Sequence, residues 1–500
     1  MADEYPEFST PTLTRRPGVL ADAGDEGYAK SLAPRHVGMI AIGGAIGTGL
    51  LLGAGGKLLV AGPALALSYA IAGVFAYLVV RALGELTLHR PSSGSFVSYA
   101  REFMGEPGAY VAGWMYVLNW STTGMADSTA VALYMHYWGA FGSVPQWLLA
   151  LCSLLVVLAV NLVSVRLFGE IEFWFAIIKV AAIMSFLLIG VWLLGTGHPV
   201  DGNRPGLDLI RDNGGFFALG VLPVFSVLQS VVFAYAGVEM VGITAGETKE
   251  PAKVIPRAVR SVTWRIGLFY VCSVLMLALL LPWNSYSASQ SPFVTVLSKI
   301  GIPGIGGVMN LVVLTAAMSS LNSGFYSTGR VLRSMASAGS APRFTGLMNA
   351  RHVPYGGILF TCGFATLGVG LNAWLPGRAF EIVVNFAALG VVCTWIMVML
   401  CHLLFVRRTR ESAGADRLAR PAFRLKGWPW VNVLTIAFLA AVVVDMGVDG
   451  GSTGRWTVAA IPLIAAVLGA GWVLSRRRLR RTTLSRDFRH RHGLFRILRP

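Results

Sequence analysis

One lysine, Lys179, stands in the middle of the apolar run FAIIKVAAI. An isolated ammonium is costly at bilayer depth, so a charge kept there is functional by default. Two roles suit it: a fixed structural charge bridging neighbouring segments, or a group that loses and regains a proton, which burial makes easier. Two carboxylates interrupt other apolar stretches. Glu239 is too far from the polar residues near Glu247 to reach them, which leaves a polar hinge for freed backbone groups or a proton-handling group. Asp127 reads as the partner of a buried donor, or of a polar group on a bound solute. Asn119 faces that same site or bonds across helices.

Backbone chemistry is the second candidate. The stretch Ile40 to Gly53 reads IAIGGAIGTGLLLG, with five glycines in fourteen residues. Glycine is the poorest helix former after proline. A matching weakness occurs at Phe233 to Glu239, FAYAGVE, where Phe233 and Tyr235 flank Gly237. Unwound backbone inside a bilayer is tolerated only where it lines a polar cavity, and interrupted helices at corresponding places of two halves point to a transporter site. Such breaks suit a zwitterion. Its carboxylate would meet the N–H groups of Gly47, Thr48 and Gly49 at the positive end of a half-helix. Its ammonium would meet carbonyls at Ala45, Ile46 and the second break. The competing reading is that these glycines merely let helices pack closely.

The elements that must position these groups are twelve apolar segments, near 36–58, 63–88, 108–138, 146–165, 170–195, 217–245, 262–283, 300–335, 355–375, 379–406, 428–446 and 456–475. Each is long enough to cross about 30 Å of hydrocarbon as a helix. They are called spans 1 to 12 below. The two breaks lie in spans 1 and 6, five apart, as corresponding members of two five-helix halves would be.

Composition agrees with a polytopic membrane protein: 55% of residues are hydrophobic and only 13% charged, with a mean hydropathy of +0.64. The net charge of +17 does not signal nucleic acid. Most lysines and arginines fall in alternate connections and the tails, which is the positive-inside pattern and puts both termini in the cytoplasm. Residues 1–35 read as a disordered cytoplasmic tail without a signal-peptide core, 36–475 as the membrane core, and 476–500 as a basic cytoplasmic tail suited to anionic headgroups. The five cysteines all lie in apolar spans without metal-ligand spacing, so neither a metal nor another cofactor is expected. Arg81 and Glu85, one turn apart near the end of span 2, are expected to pair. Glu102 and Arg101 read as solvated or gate-stabilising charges. No nucleotide-binding loop or hydrolase motif occurs in a suitable place, and no charge ring or carbonyl filter suggests a channel.

Six stretches then carry a resemblance: GGAIGTGLLLGAG at 43–55, LGEL at 83–86, SGSFVSYAREFMG at 93–105, GEIEFWFAIIKVAAI at 169–183, FAYAGVEMVGITAGETKEP at 233–251 and SSLNSGFYSTGRVLRSMA at 319–336. In this order they resemble the amino acid permeases of the amino acid–polyamine–organocation superfamily, from about residue 35 to 475. LHRPSSGSFVSYAREF, NWSTTGMADSTAVALYMHYWGAFGSVPQW and PWNSYSASQSPFVTVLSKIG are similar to the L-asparagine branch of that family, with permeases for D-alanine, D-serine and glycine as the nearest rivals. The resemblance implies an all-α inverted five-plus-five repeat, about 36–195 and 217–406, with helices 1 and 6 interrupted and two extra helices. It implies uptake of an amino acid coupled to protons in a bacterial cytoplasmic membrane. By the same resemblance Phe233 would cap bound substrate, and Ser319 and Ser320 would lie near Lys179, where sodium-coupled relatives hold their ion. Many family members carry Glu where this chain has Asp127.

Overall fold

A computed structural model describes residues 39, 46–92, 94–245, 250–411, 420–448 and 451–476; for residues 244, 245 and 263 it describes the backbone alone. Ala45, the tail at 1–35 and residues 477–500 lie outside the described residues. What is described is helical throughout, apart from one isolated bridge between Val200 and Asn203. This is the outcome that lipid imposes, because a helix satisfies its own backbone polar groups.

Among the described residues, nine helices are long and apolar enough to cross a membrane. The shortfall against twelve expected spans falls on spans 1, 3 and 6. Span 1 is represented by Thr48–Leu51 and Gly53–Ala61, and its last part is counted together with span 2 in the run Gly53–His89. Span 6 is cut into Leu222–Ser226, Leu228–Ala234 and Met240–Ala245, each too short to cross. Span 3 is the helix Phe96–His136, which runs on from the 2–3 connection across a non-helical Gly105. It is long enough, but Asn119, Ser121, Thr122, Thr123, Asp127 and Ser128 crowd its centre and lower its hydropathy. The three segments that do not count as crossing helices are thus the ones that carry Gly47, Gly237 and Asp127.

Burial sorts the remaining helices. Span 10, Ala379–Glu411, has 72% of its apolar window buried, whereas span 12, Gly451–Arg476, has 6% and lies at the periphery. Span 3 packs along spans 10 and 8, and span 8, Ile305–Ala338, also packs on span 5, Val165–Thr196. Small residues make these contacts close, as is usual between membrane helices. Gly390 of span 10 lies against Asn119, and Gly324 of span 8 against the ring of Trp120.

The ends of spans 2 and 10 near Glu85 and His402 are tied by polar contacts, and here one local expectation fails. Arg81 and Glu85 do not pair. Glu85 is fully buried and takes three other donors: Arg420 Nε at 2.7 Å, the Leu425 N–H at 2.7 Å and His402 Nε2 at 3.0 Å. Arg81 instead donates to the Arg424 carbonyl, and its guanidinium lies 3.4 Å from the centre of the Phe423 ring. The connection after span 10 folds back under span 2 and supplies more partners than a one-turn neighbour can. Glu102 meets His89 at 3.4 Å and Arg90 at 3.3 Å, while Arg101 pairs with Glu106 at 2.9 Å. Partial burial pushes the Glu102 carboxyl up, but the hydrogen bond from His89 and the charges of Arg90, His89 and Arg408 outweigh it and hold its pKa below the ordinary value.

Candidate functional site

In span 1, Ile46 and Gly47 are not helical, and the helix begins at Thr48. Gly47 is extended, with φ −127° and ψ −164°. The first intrahelical bonds run from the Leu51 N–H to the Gly47 carbonyl and from Leu52 to Thr48, at 3.2 and 2.9 Å. The N–H groups of Thr48, Gly49 and Leu50 therefore have no partner within their own helix. On the other side of the break, the Ile46 carbonyl accepts from Lys179 Nζ at 3.3 Å.

Span 6 is opened differently. From Tyr235 to Gly242 its backbone bonds run between residues three apart: Tyr235 to Val232, Ala236 to Phe233, Val238 to Tyr235, Met240 to Gly237 and Gly242 to Glu239. Gly237 sits at φ +93°, a conformation that L side chains rarely adopt. Glu239 is fully buried, and its Oε2 accepts from the Gly237 N–H at 3.1 Å. The carboxylate thus satisfies one of the donors that the break releases. The two broken segments touch: a Cβ on Gly49 would stand 2.5 Å from the Ala234 Cα.

Around the span 1 break the fold gathers Asp127 from span 3, Lys179 from span 5 and Ser320 from span 8. Thr48 Oγ1 donates to Asp127 Oδ1 at 2.7 Å, across 79 residues of sequence. At this length the bond is well formed for a hydroxyl donor and joins span 1 to span 3. A Cβ on Gly47 would meet Ser320 Oγ at 3.3 Å, so that serine faces the break. Asp127 is wholly buried, and Thr48 and Lys179 are each 1% exposed.

One residue of this cluster was not singled out from the sequence. Glu172, also fully buried, lies 3.9 Å from Lys179 Nζ. Its Oε1 accepts from Ser319 Oγ at 2.5 Å and its Oε2 from Asn322 Nδ2 at 3.5 Å. Behind them Asn161 Nδ2 of span 4 donates to Asn322 Oδ1 at 2.7 Å. The signal was available: Glu172 precedes Lys179 by seven residues, two helical turns, and so shares its face. Helical side chains lean towards the N-terminus, which brings the long lysine back onto the carboxylate.

The other expected site residues have the following surroundings. Tyr235 gives its hydroxyl to the Tyr69 carbonyl at 2.8 Å and stacks on Tyr270 at 4.5 Å between centroids, so its side chain packs towards spans 2 and 7. Phe233 sits in an apolar group with Met125, Ala126, Val383 and Ala387, where spans 6, 3 and 10 meet. Asn119, two turns along span 3 from Asp127, accepts from Thr123 on its own helix at 3.2 Å and abuts span 10. Ser319 is turned to Glu172 rather than to the break.

The arrangement places main-chain N–H groups that have no partner inside their own helix at the head of Thr48–Leu51, with Asp127 beside them and Lys179 on the Ile46 carbonyl. The main-chain N–H and carbonyl groups are complementary to the two ends of a zwitterion, whereas Asp127 and Lys179 have the same sign as the end nearest each of them and so suit a polar side chain or a proton instead.

Comparison with known proteins fits this geometry. The amino acid permease family matches residues 36–480. A protein of Streptomyces coelicolor named L-asparagine permease is 64% identical over 461 residues, 92% of this chain and 93% of that protein. Proteins of the same name from Salmonella typhimurium and Escherichia coli are 57% and 56% identical, each covering 92% of this chain and 91% of the relative.

Proposed function

Because this chain belongs to the amino acid permease family, a family of multi-pass membrane transporters rather than enzymes, we propose that it imports L-asparagine by proton symport. The observation that carries the reading is the meeting of two opened helices, Ile46–Gly47 in span 1 and Tyr235–Glu239 in span 6, beside Asp127 and Lys179. The asparagine assignment is supported by the names of relatives that are 56–64% identical over nine-tenths of the chain.

In this reading the substrate carboxylate sits at the N–H groups of Gly47, Thr48 and Gly49, and its ammonium at the Ile46 carbonyl and the opened backbone of span 6. Phe233 closes over it. Asp127, released from Thr48, accepts from the carboxamide, the only extra polar group that asparagine brings. Lys179 alternates between ammonium and amine, so each inward passage carries one proton with the substrate. When it is charged it holds the Ile46 carbonyl; when neutral it releases it, which ties the shape of the span 1 break to protonation. Glu239 keeps the span 6 break satisfied.

The architecture that goes with this function is twelve membrane helices, with inverted repeats at about 36–195 and 217–406 and two additional helices. Both termini are in the cytoplasm and the membrane is the bacterial cytoplasmic one, in keeping with the positive-inside charge pattern. Half-helices at matching places in two inverted repeats let the site be exposed to one side and then the other.

The test is uptake into proteoliposomes under an imposed inward proton gradient, with unlabelled amino acids of both hands as competitors. Accumulation of labelled L-asparagine that a protonophore abolishes is expected. Better competition by D-alanine, D-serine or glycine than by L-asparagine would reassign the substrate. Equilibration without accumulation would remove the symport.

A further inference from the structure

We propose that Glu172 is a positioning residue for proton coupling: it is the counter-charge that holds Lys179 at the span 1 break and ties that lysine to span 8. The inference rests on the symport reading above and names a residue to which that reading gave no task.

Glu172 is a fully buried carboxylate on a largely apolar helix that also carries Arg166, the partly buried Glu170 and Lys179. Burying a carboxylate without partners is unfavourable, and this one has three. Two come from span 8, Ser319 Oγ at 2.5 Å and Asn322 Nδ2 at 3.5 Å. The third is the Lys179 ammonium at 3.9 Å. Lys179 reaches the Ile46 carbonyl with the same nitrogen. A chain of polar contacts therefore runs from the non-helical backbone of span 1 through Lys179 and Glu172 to Ser319 and Asn322 of span 8, and on to Asn161 of span 4. It crosses four helices, and its only carboxylate is Glu172.

The consequence is directional. A carboxylate at this distance favours the ammonium form of Lys179 over the amine. The ammonium is the form that grips Ile46. Loss of the proton from Lys179 weakens both contacts at once, freeing span 1 from span 5 while Glu172 stays on span 8. The other groups facing Glu172 do not titrate in this range: Ser319 and Asn322 from span 8, and Asn161 behind them from span 4. Span 7, which packs on the same helix, brings Met276 against Gly190. The other charged groups nearby in the fold are Glu170 on the same helix, Asp127 of span 3, held on Thr48 at the span 1 break, and Arg330, further along span 8 over the Tyr326 ring.

The experiment measures gradient-driven asparagine uptake against pH for the wild type, Glu172→Gln and Glu172→Asp, in proteoliposomes. Glutamine keeps an oxygen for Ser319 and removes the charge. The pH of half-maximal uptake is expected to move acid by about one unit or more in Glu172→Gln, and to return towards the wild type in Glu172→Asp. A purely structural role would instead lower uptake by the same factor at every pH, and that result overturns the proposal. A second measurement covers poor folding of the single variant. Melting temperatures are compared for Glu172→Gln, Lys179→Gln and the double variant. Each single change strands one buried charge, so the double is expected to melt above either single; additive losses overturn the pairing. A wild type that accumulates no asparagine reports a failure of the symport reading. Normal wild-type uptake with an unmoved Glu172→Gln profile overturns only the role of Glu172.

Discussion

Adding one methyl group at Gly49 tests whether contact between the two opened helices sets substrate affinity. An alanine Cβ there would stand 2.5 Å from the Ala234 Cα and 3.0 Å from the Ala234 N and Cβ. Ordinary carbon contacts are about 3.5–4.0 Å, so spans 1 and 6 must part by roughly 1 Å. The obstacle is main chain, which cannot rotate aside. Overpacking of this kind costs about 1–3 kcal/mol. If the cost falls on the bound geometry, it corresponds to roughly 5- to 150-fold in affinity at about 1.4 kcal/mol per tenfold. The assay is the KM for L-asparagine uptake beside the melting temperature of the purified protein, with Gly370→Ala as control, since a Cβ at Gly370 meets nothing within 4 Å. Gly49→Ala is expected to raise KM at least fivefold, and Gly370→Ala to leave it unchanged. A Gly49→Ala protein with wild-type KM would refute the idea that these two segments grip the substrate together. Gly47 is a milder site, because its extended backbone suits any residue and a Cβ there meets only the movable tip of Ser320 at 3.3 Å; Gly47→Val is therefore a weaker test than Gly49→Ala.

Lys179→Ala removes the ammonium from the Ile46 carbonyl and from Glu172. Accumulation of substrate against a gradient should be lost while counterflow exchange continues, and full accumulation by this variant would end the coupling role. Glu85→Ala removes the acceptor shared by Arg420, His402 and the Leu425 N–H. Breaking a buried charged contact costs about 3–5 kcal/mol, so its melting temperature should fall well below that of an Arg81→Ala protein, whose lost contacts are one carbonyl and one ring.

Several features were legible in the residues alone because their causes are local. A run of apolar residues long enough for lipid is a property of one segment, and so is the weakness of a glycine-rich helix. The non-helical backbone at Gly47 and Gly237 and the buried charges at Lys179, Asp127 and Glu239 could therefore be picked out, since a buried polar group in lipid needs a reason wherever it sits. Partnership was not legible. Thr48 finds Asp127 across 79 residues, Lys179 finds Ile46 across 133 and Ser319 finds Glu172 across 147. Nothing in the chain's order specifies those meetings. Where local spacing was used to assign partners it misled: Arg81 and Glu85 satisfy the one-turn rule, yet each bonds to the connection after span 10, because three-dimensional packing brought better donors and acceptors. Tyr235 shows the same limit, since its place beside a break says nothing about which way its ring turns. The sequence alone determined where the helices must open and which charges must be accommodated, because those follow from the cost of polar groups in hydrocarbon. Only the tertiary structure decided which groups share that burden, because hydrogen-bond partners are chosen by distance in space.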